Sequence, residues 1–221
     1  MINELLFFGH ITAVSLATLY FARLGKEALV SYIALLFVMA NIFVIKQITL
    51  FSWCATSADA FIIGISFGLN ILQEFWGKQI ARKAIWISFA CSLIYTGMAQ
   101  WILLYHPTPC DTTQLHLLAI NLHAPRIIAA SCIAYLITQY IDTQLYYFLK
   151  LKTGGAYFTL RNYISICFSQ LCDTILFSYL GLYGIMPNIT NIIFVSYLIK
   201  IIALLIMTPW LMFAKKIINS K

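Results

Sequence analysis

Charge is what this chain has least of. Only 10% of its 221 residues are Asp, Glu, Lys or Arg, against 62% hydrophobic residues, and the mean hydropathy is +0.89. A soluble domain carries about 25% charged residues, so the composition excludes a soluble globular protein and specifies an integral membrane one. Catalytic and nucleotide signatures are missing as well. No GxxxxGK[ST] occurs, so ATP could act only through a partner subunit. There is no HExxH for a metalloprotease, and the GxSxG spacing of Gly64-Ile65-Ser66-Phe67-Gly68 falls inside an apolar stretch rather than at the strand-to-helix turn a serine hydrolase needs. The six cysteines form no CxxC and lie mostly in apolar stretches, where they read as small hydrophobes. No basic run is long enough to follow a phosphate backbone, so the net charge of +7 does not imply nucleic acid. No metal or other cofactor is implied. The opening MINELLFFGH has neither a basic n-region nor a small-residue cleavage site, and no removable signal peptide is expected.

What is present is a series of long apolar stretches, at roughly 4–22, 29–46, 55–75, 84–105, 126–149, 161–183 and 190–214. Each is long enough to cross about 30 Å of hydrocarbon. The expected fold is an all-α, polytopic membrane bundle of six to seven helices in one membrane domain spanning 1–221. The first stretch is the weakest, because Gly9, His10 and Thr12 dilute it, and a partial or interfacial segment there would leave six. Basic residues sit in alternate connections: Arg23 and Lys26; Lys78, Arg82 and Lys83; Lys150, Lys152 and Arg161; and Lys215, Lys216 and Lys221. Segments 106–125 and 184–189 have none. The positive-inside rule then puts the N-terminus outside and the C-terminus in the cytoplasm of a cell inner (plasma) membrane. Segment 106–125, with His106, Cys110, Asp111, His116 and His123, matches no familiar ligand spacing and reads as a polar surface loop.

Three ionisable residues interrupt the late stretches: Asp142, Asp173 and Lys200. A charge at bilayer depth costs roughly 2.5–3.5 kcal/mol on insertion scales and by default marks a substrate or ion pathway. At 3.6 residues per turn, Ser131, Tyr135, Gln139, Asp142 and Tyr146 form one stripe. Gln170 and Asp173 repeat the amide-then-acid spacing of Gln139 and Asp142, and Tyr197 stands three residues before Lys200. By depth, Asp173 and Lys200 both fall midway along their spans and are the expected ion pair, since pairing relieves part of the burial cost. The alternative, that the pair only locks two helices together, gains little, because a buried pair is a poor source of stability. Asp142 lies nearer the cytoplasmic third and has no obvious protein partner. Asn70 and Glu74 share a face at the end of the third stretch, just before Gly77. An intramembrane aspartyl protease would also place two acids in the membrane, but no GxGD surrounds either of them.

These residues resemble a known family. Asn70-x3-Glu74-x2-Gly77-Lys78-x2-Ala81-Arg82 is similar to the signature of the queuosine precursor transporters, also described as vitamin uptake transporters. So are Arg126-x4-Ser131-x3-Tyr135-x3-Gln139-x2-Asp142, then Arg161, Ser165 and Gln170-x2-Asp173-Thr174, and finally Tyr197-x2-Lys200 with Pro209. The blocks cover about 55–213 in the family's order. One position departs: the family usually has Asp where Asn70 stands. The resemblance implies import of a 7-deazaguanine compound, with lipid and a small-molecule 7-deazapurine as partners; a homo-oligomer is compatible with it. The substrate-binding candidates are Asp142, Asp173, Gln139, Gln170, Lys200, Asn70, Glu74, Tyr135 and Tyr197. Arg126, Arg161, Gly77 and Arg82 are expected to serve structure or topology.

The charge alternation makes a topology prediction. Alkaline phosphatase fused within 106–125 should be active, and fused within 23–28 inactive. The reverse pattern would invert the orientation.

Overall fold

In the computed structural model, residues 2–152 and 158–202 are described. For Glu74, Lys78, Gln139, Asp142, Thr143, Tyr146, Tyr147, Lys150 and residues 158–163 only the backbone is described. Eight α-helices carry the described chain: α1 Ile2–Leu24, α2 Lys26–Phe43, α3 Asp59–Trp76, α4 Lys78–Ile102, α5 Gln114–Asn121, α6 Ala124–Lys152, α7 Phe158–Phe177 and α8 Ile189–Ile202. A π-helical turn, Ser178–Leu182, extends α7. The architecture is an all-α polytopic bundle, and five helices are long and apolar enough to cross a membrane unaided. The diluted first stretch is an uninterrupted helix of 23 residues. Thr12 is accommodated there by donating its hydroxyl to the Phe8 carbonyl one turn back, at 2.8 Å, which satisfies the hydroxyl within the helix.

Single glycines make two of the connections. Gly25, at φ 123°, joins α1 to α2, and Gly77, at φ 88°, joins α3 to α4. A side chain would strain the backbone at either position, so the chain reverses between long helices without a loop. Basic residues flank both turns: Arg23 and Lys26 at one, Lys78 and Arg82 at the other.

Close helix approach governs the core. Gly64 and Gly68 stand four apart on α3, and α1 and α2 press against that face. A Cβ built on Gly64 would come within 2.2 Å of Val14 Cγ1, and one on Gly68 within 2.8 Å of Ile33 Cγ1. In lipid, packing rather than water release drives helix association, so such small-residue faces carry it. Around them Leu29, Ile33, Phe67, Ile71, Leu72 and Ala84 are buried. A second cluster, including Val14, Leu36, Ala58, Phe61, Ile127 and Leu182, joins α1, α2 and α3 to α6 and the π-helical turn.

Two features correct the sequence reading. The third stretch does not begin as helix at 55: residues Trp53–Thr56 form β2, paired antiparallel with β1 Gln47–Leu50, and α3 starts at Asp59. The hairpin turn is Phe51-Ser52, with φ of 51° and 67°, where Asn-Gly is the usual signal. Its conformation is held from outside, because Glu4 Oε1 accepts the Phe51 N–H at 2.9 Å and Asn3 Nδ2 donates to the Thr49 carbonyl at 3.1 Å. The polar segment 106–125 is not all loop. It contains α5, docked by Tyr95 Oη donating to Asn121 Oδ1 at 3.0 Å and Gln100 Nε2 donating to the Asn121 carbonyl at 2.9 Å. Within that segment Asp111 accepts from the Thr113 N–H and hydroxyl at 2.7 and 2.6 Å, bonds that hold its carboxyl below the usual range.

The glycine face gives a test. Gly64→Ile and Gly68→Ile should each destabilise the bundle by about 1–3 kcal/mol through overpacking. Gly97→Ala, where a Cβ would meet nothing within 4 Å, should be neutral or slightly stabilising. Thermal unfolding in detergent measures the difference, and equal midpoints for all three would refute the packing account.

Candidate functional site

The late helices meet at one buried group of charges. Lys200 on α8 donates from Nζ to Asp173 Oδ2 on α7 at 2.8 Å and to Thr174 Oγ1 at 3.1 Å. The two residues matched by depth are therefore in contact. Lys200 lies 11 residues into α8, or about 16 Å along its axis. Its side chain is 10% exposed and that of Asp173 is 30% exposed. The pair is thus open on the Asp173 side and closed around the ammonium. Thr174 turns its hydroxyl to both Lys200 and its own helix, donating to the Gln170 carbonyl at 2.7 Å.

A third ionisable residue completes the group, and it is absent from the sequence-based candidates. Asp59, the first residue of α3, is 2% exposed. Its Oδ2 accepts from Ser196 Oγ on α8 at 2.8 Å and from Thr56 Oγ1 of β2 at 3.3 Å. Lys200 also acts on it electrostatically. The hairpin makes this burial possible: Leu50, Ala55 and Thr56 are buried where α3 begins, and Phe7, Ala60 and Val195 close the apolar wall. Asp59 stands near the edge of the stretch 55–75, and no spacing in the sequence singles it out.

The other candidates are distributed along the same helices. Tyr197, half-buried, points its hydroxyl to the Cys167 carbonyl on α7 at 3.4 Å. Gln170 and Asn70 are half-buried. Ser131 on the α6 stripe donates to Asn41 Oδ1 on α2 at 3.0 Å, and Asn41 Nδ2 donates to the Phe37 carbonyl at 2.9 Å and to Ser92 Oγ on α4 at 3.4 Å. This second polar link, between α2, α4 and α6, went unremarked because Asn41 stands alone in its stretch. Tyr135 stacks edge-on to Phe89 at 5.4 Å and lies within the electrostatic reach of Arg82. The side chains of Asp142, Gln139, Glu74 and Arg161 lie outside the described residues.

Arg126 has an evident structural task. Its Nε donates to the Leu180 carbonyl at 2.8 Å and its guanidinium NH2 to the Tyr183 carbonyl at 2.7 Å. These carbonyls belong to the end of the π-helical turn, where the helical ladder leaves acceptors without partners. Arg126 thereby ties α6 to the end of α7. A cavity of about 240 Å³ lies between α4 and α5, lined by Tyr95, Met98, Ala99, Ile102, Leu103, Leu117 and Asn121. None of the candidate residues borders it.

A family model described as "Putative vitamin uptake transporter" matches residues 57–214. The chain belongs to this transporter family. A protein of Bacillus subtilis (strain 168) named "Probable queuosine precursor transporter" is 33% identical over 221 residues, 99% of this chain and 96% of that protein. No solved structure matches. The matched span takes in Asp59, Asp173 and Lys200 together. As a vitamin uptake family member, the protein is a multi-pass membrane transporter and not an enzyme.

Removing one partner of a buried pair strands the other charge, at about 3–5 kcal/mol. With Asp173 30% exposed, Lys200→Met should fall at the lower end of that range. Adding Asp173→Asn should recover part of the loss. A double-mutant cycle on unfolding in detergent reads the coupling; strictly additive losses would show that the pair contributes nothing.

Proposed function

We propose that this transporter imports a 7-deazaguanine precursor of queuosine, a base such as queuine, preQ0 or preQ1, across the cell inner (plasma) membrane as a secondary transporter. Its N-terminus faces outward and its C-terminus faces the cytoplasm. The observation that carries the cargo reading is the partly open carboxylate of Asp173 held against Lys200 deep among the helices. A guanine-like edge offers an N–H and an amino group that one carboxylate accepts together, and a carbonyl that an ammonium can donate to. Asp173 and Lys200 present both partners side by side. Gln170, one turn before Asp173, adds an amide. Tyr197 and Tyr135 offer ring faces for a flat base. The full-length relative carries a queuosine precursor transporter's name, which agrees with that chemistry. Asp142, Gln139, Asn70 and Glu74 belong to the proposal through their helix positions and family resemblance.

The orientation follows from the basic residues that flank the Gly25 and Gly77 turns and end α6. On this reading the hairpin, α5 and the π-helical turn all face outward.

Complementation tests the cargo. In a queuosine-auxotrophic strain lacking its own importer, the chain should restore tRNA modification when a 7-deazapurine precursor is supplied. Asp173→Asn and Lys200→Met should reduce that rescue at least tenfold at limiting precursor, since a lost charge-assisted hydrogen bond is worth about 1.5–3 kcal/mol. No rescue by any 7-deazapurine would overturn the assignment.

A further inference from the structure

Among the described residues, the charges around Lys200 do not balance. One ammonium stands among two carboxylates, Asp173 at 2.8 Å and Asp59 within its electrostatic reach. If both acids were ionised, the group would hold one net negative charge inside an apolar wall of Phe7, Ala60 and Val195. An uncompensated buried charge costs far more than a neutral, hydrogen-bonded carboxylic acid. The two acids are not equivalent. Lys200 donates directly to Asp173, which is 30% exposed. Asp59 is 2% exposed and, beside a backbone contact from Thr56, receives hydroxyls from Ser196 at 2.8 Å and Thr56 at 3.3 Å. Hydroxyls can donate to a carboxylate or accept from a carboxylic acid, so both contacts survive a change of protonation. Asp173 is therefore open to contact where Asp59 is sealed from any molecule the size of a base. A proton reaches either.

We propose that Asp59 is the proton-carrying residue of this transporter: it holds one proton while Lys200 is committed to Asp173, and that proton travels with the cargo. The proposal rests on the transport reading above and adds the coupling ion and its residue. The groups facing Asp59 fit this assignment. From α8 come Lys200 and the Ser196 hydroxyl, and α7 supplies Asp173 through Lys200. From β2 comes Thr56. On α1, the His10 ring packs against Phe61, two residues along α3 from Asp59, at 4.6 Å. The site thus divides labour, with an open acid for the cargo and a sealed acid for the proton, linked by one shared cation. No bond other than O–H is made or broken: Asp59 takes a proton from the outer side and returns it to the inner side, and each passage moves one positive charge inward with the cargo.

Infrared spectroscopy of the purified, membrane-reconstituted protein at neutral pH tests the proton without any cargo. The wild type should show a carboxylic-acid C=O band that disappears in Asp59→Asn and remains in Asp173→Asn. In Ser196→Ala, which keeps the acid and removes one hydrogen bond, the band should persist and move to higher frequency. No such band in the wild type, or the same band in Asp59→Asn, would overturn the proposal. Proteoliposomes with an entrapped pH dye and radiolabelled queuine supply the second arm. Wild-type accumulation should acidify the lumen, whereas Asp59→Asn should carry queuine only to equilibrium, with no acidification. Accumulation by the wild type without proton entry, or undiminished accumulation by Asp59→Asn, would also overturn it. Failure of the wild type to carry any 7-deazapurine would sink the cargo reading instead, and the infrared spectrum would still decide whether Asp59 holds a proton.

Discussion

The Lys200 ammonium is the group around which the second half of this bundle is organised. It draws α7 to α8 through Asp173 and Thr174, while four residues earlier on α8 Ser196 reaches Asp59 at the start of α3. Lys200 and Ser196 are one turn apart, so a single helix face serves both contacts. An isolated charge at this depth would be expelled or neutralised. Here it is retained because two helices and a hairpin supply oxygen atoms to its surroundings. The hairpin packs over the start of α3, where Asp59 is buried.

The irregular backbone has its own supports, each drawn from a distant part of the chain. Glu4 on α1 steadies the Phe51 turn of the hairpin, and Arg126 on α6 takes up the carbonyls after α7. Backbone groups outside helices must find partners wherever water is scarce, and a charged side chain makes the strongest partner available. The glycine face of α3 has the complementary role. By letting α1 and α2 approach closely at Gly64 and Gly68, it forms a tightly packed half against which the charged half can rest.

Much of this was legible in residue pattern, and the remainder failed for identifiable reasons. Long apolar stretches declare membrane helices because lipid leaves the backbone few alternatives. The Asp173–Lys200 pairing followed from depth, since both stand midway along adjacent spans. The hairpin was illegible because its turn is Phe-Ser rather than Asn-Gly, and the contact that holds it comes from Glu4, 47 residues earlier. Asp59 was hidden for a related reason: its burial depends on the hairpin folding over the α3 start, and no local pattern encodes that. Asn41 looked like a lone polar residue until Ser92 and Ser131 came to it from two other helices. The polar stripe on α6 was periodic and visible, yet periodicity does not say whether a stripe meets cargo or, like Ser131, a neighbouring helix.

Placing one acid in the open and another under a seal has a mechanical consequence for a carrier. A cargo that took both carboxylates would compete with the proton for the same oxygens, so the two would exclude each other. Separate acids allow both to be bound at once, and the intervening ammonium makes each sensitive to the other's state. When Asp59 is neutral, Lys200 is free to serve Asp173 and whatever rests there. On the proposed reading, an ionised Asp59 would draw the same cation toward itself and weaken that side. A coupling free energy between the two sites then needs no movement larger than a lysine side chain, and by linkage it acts equally in both directions. Because α3 and α7 are both held to α8 through that face, whichever acid the lysine favoured would bear on both helices.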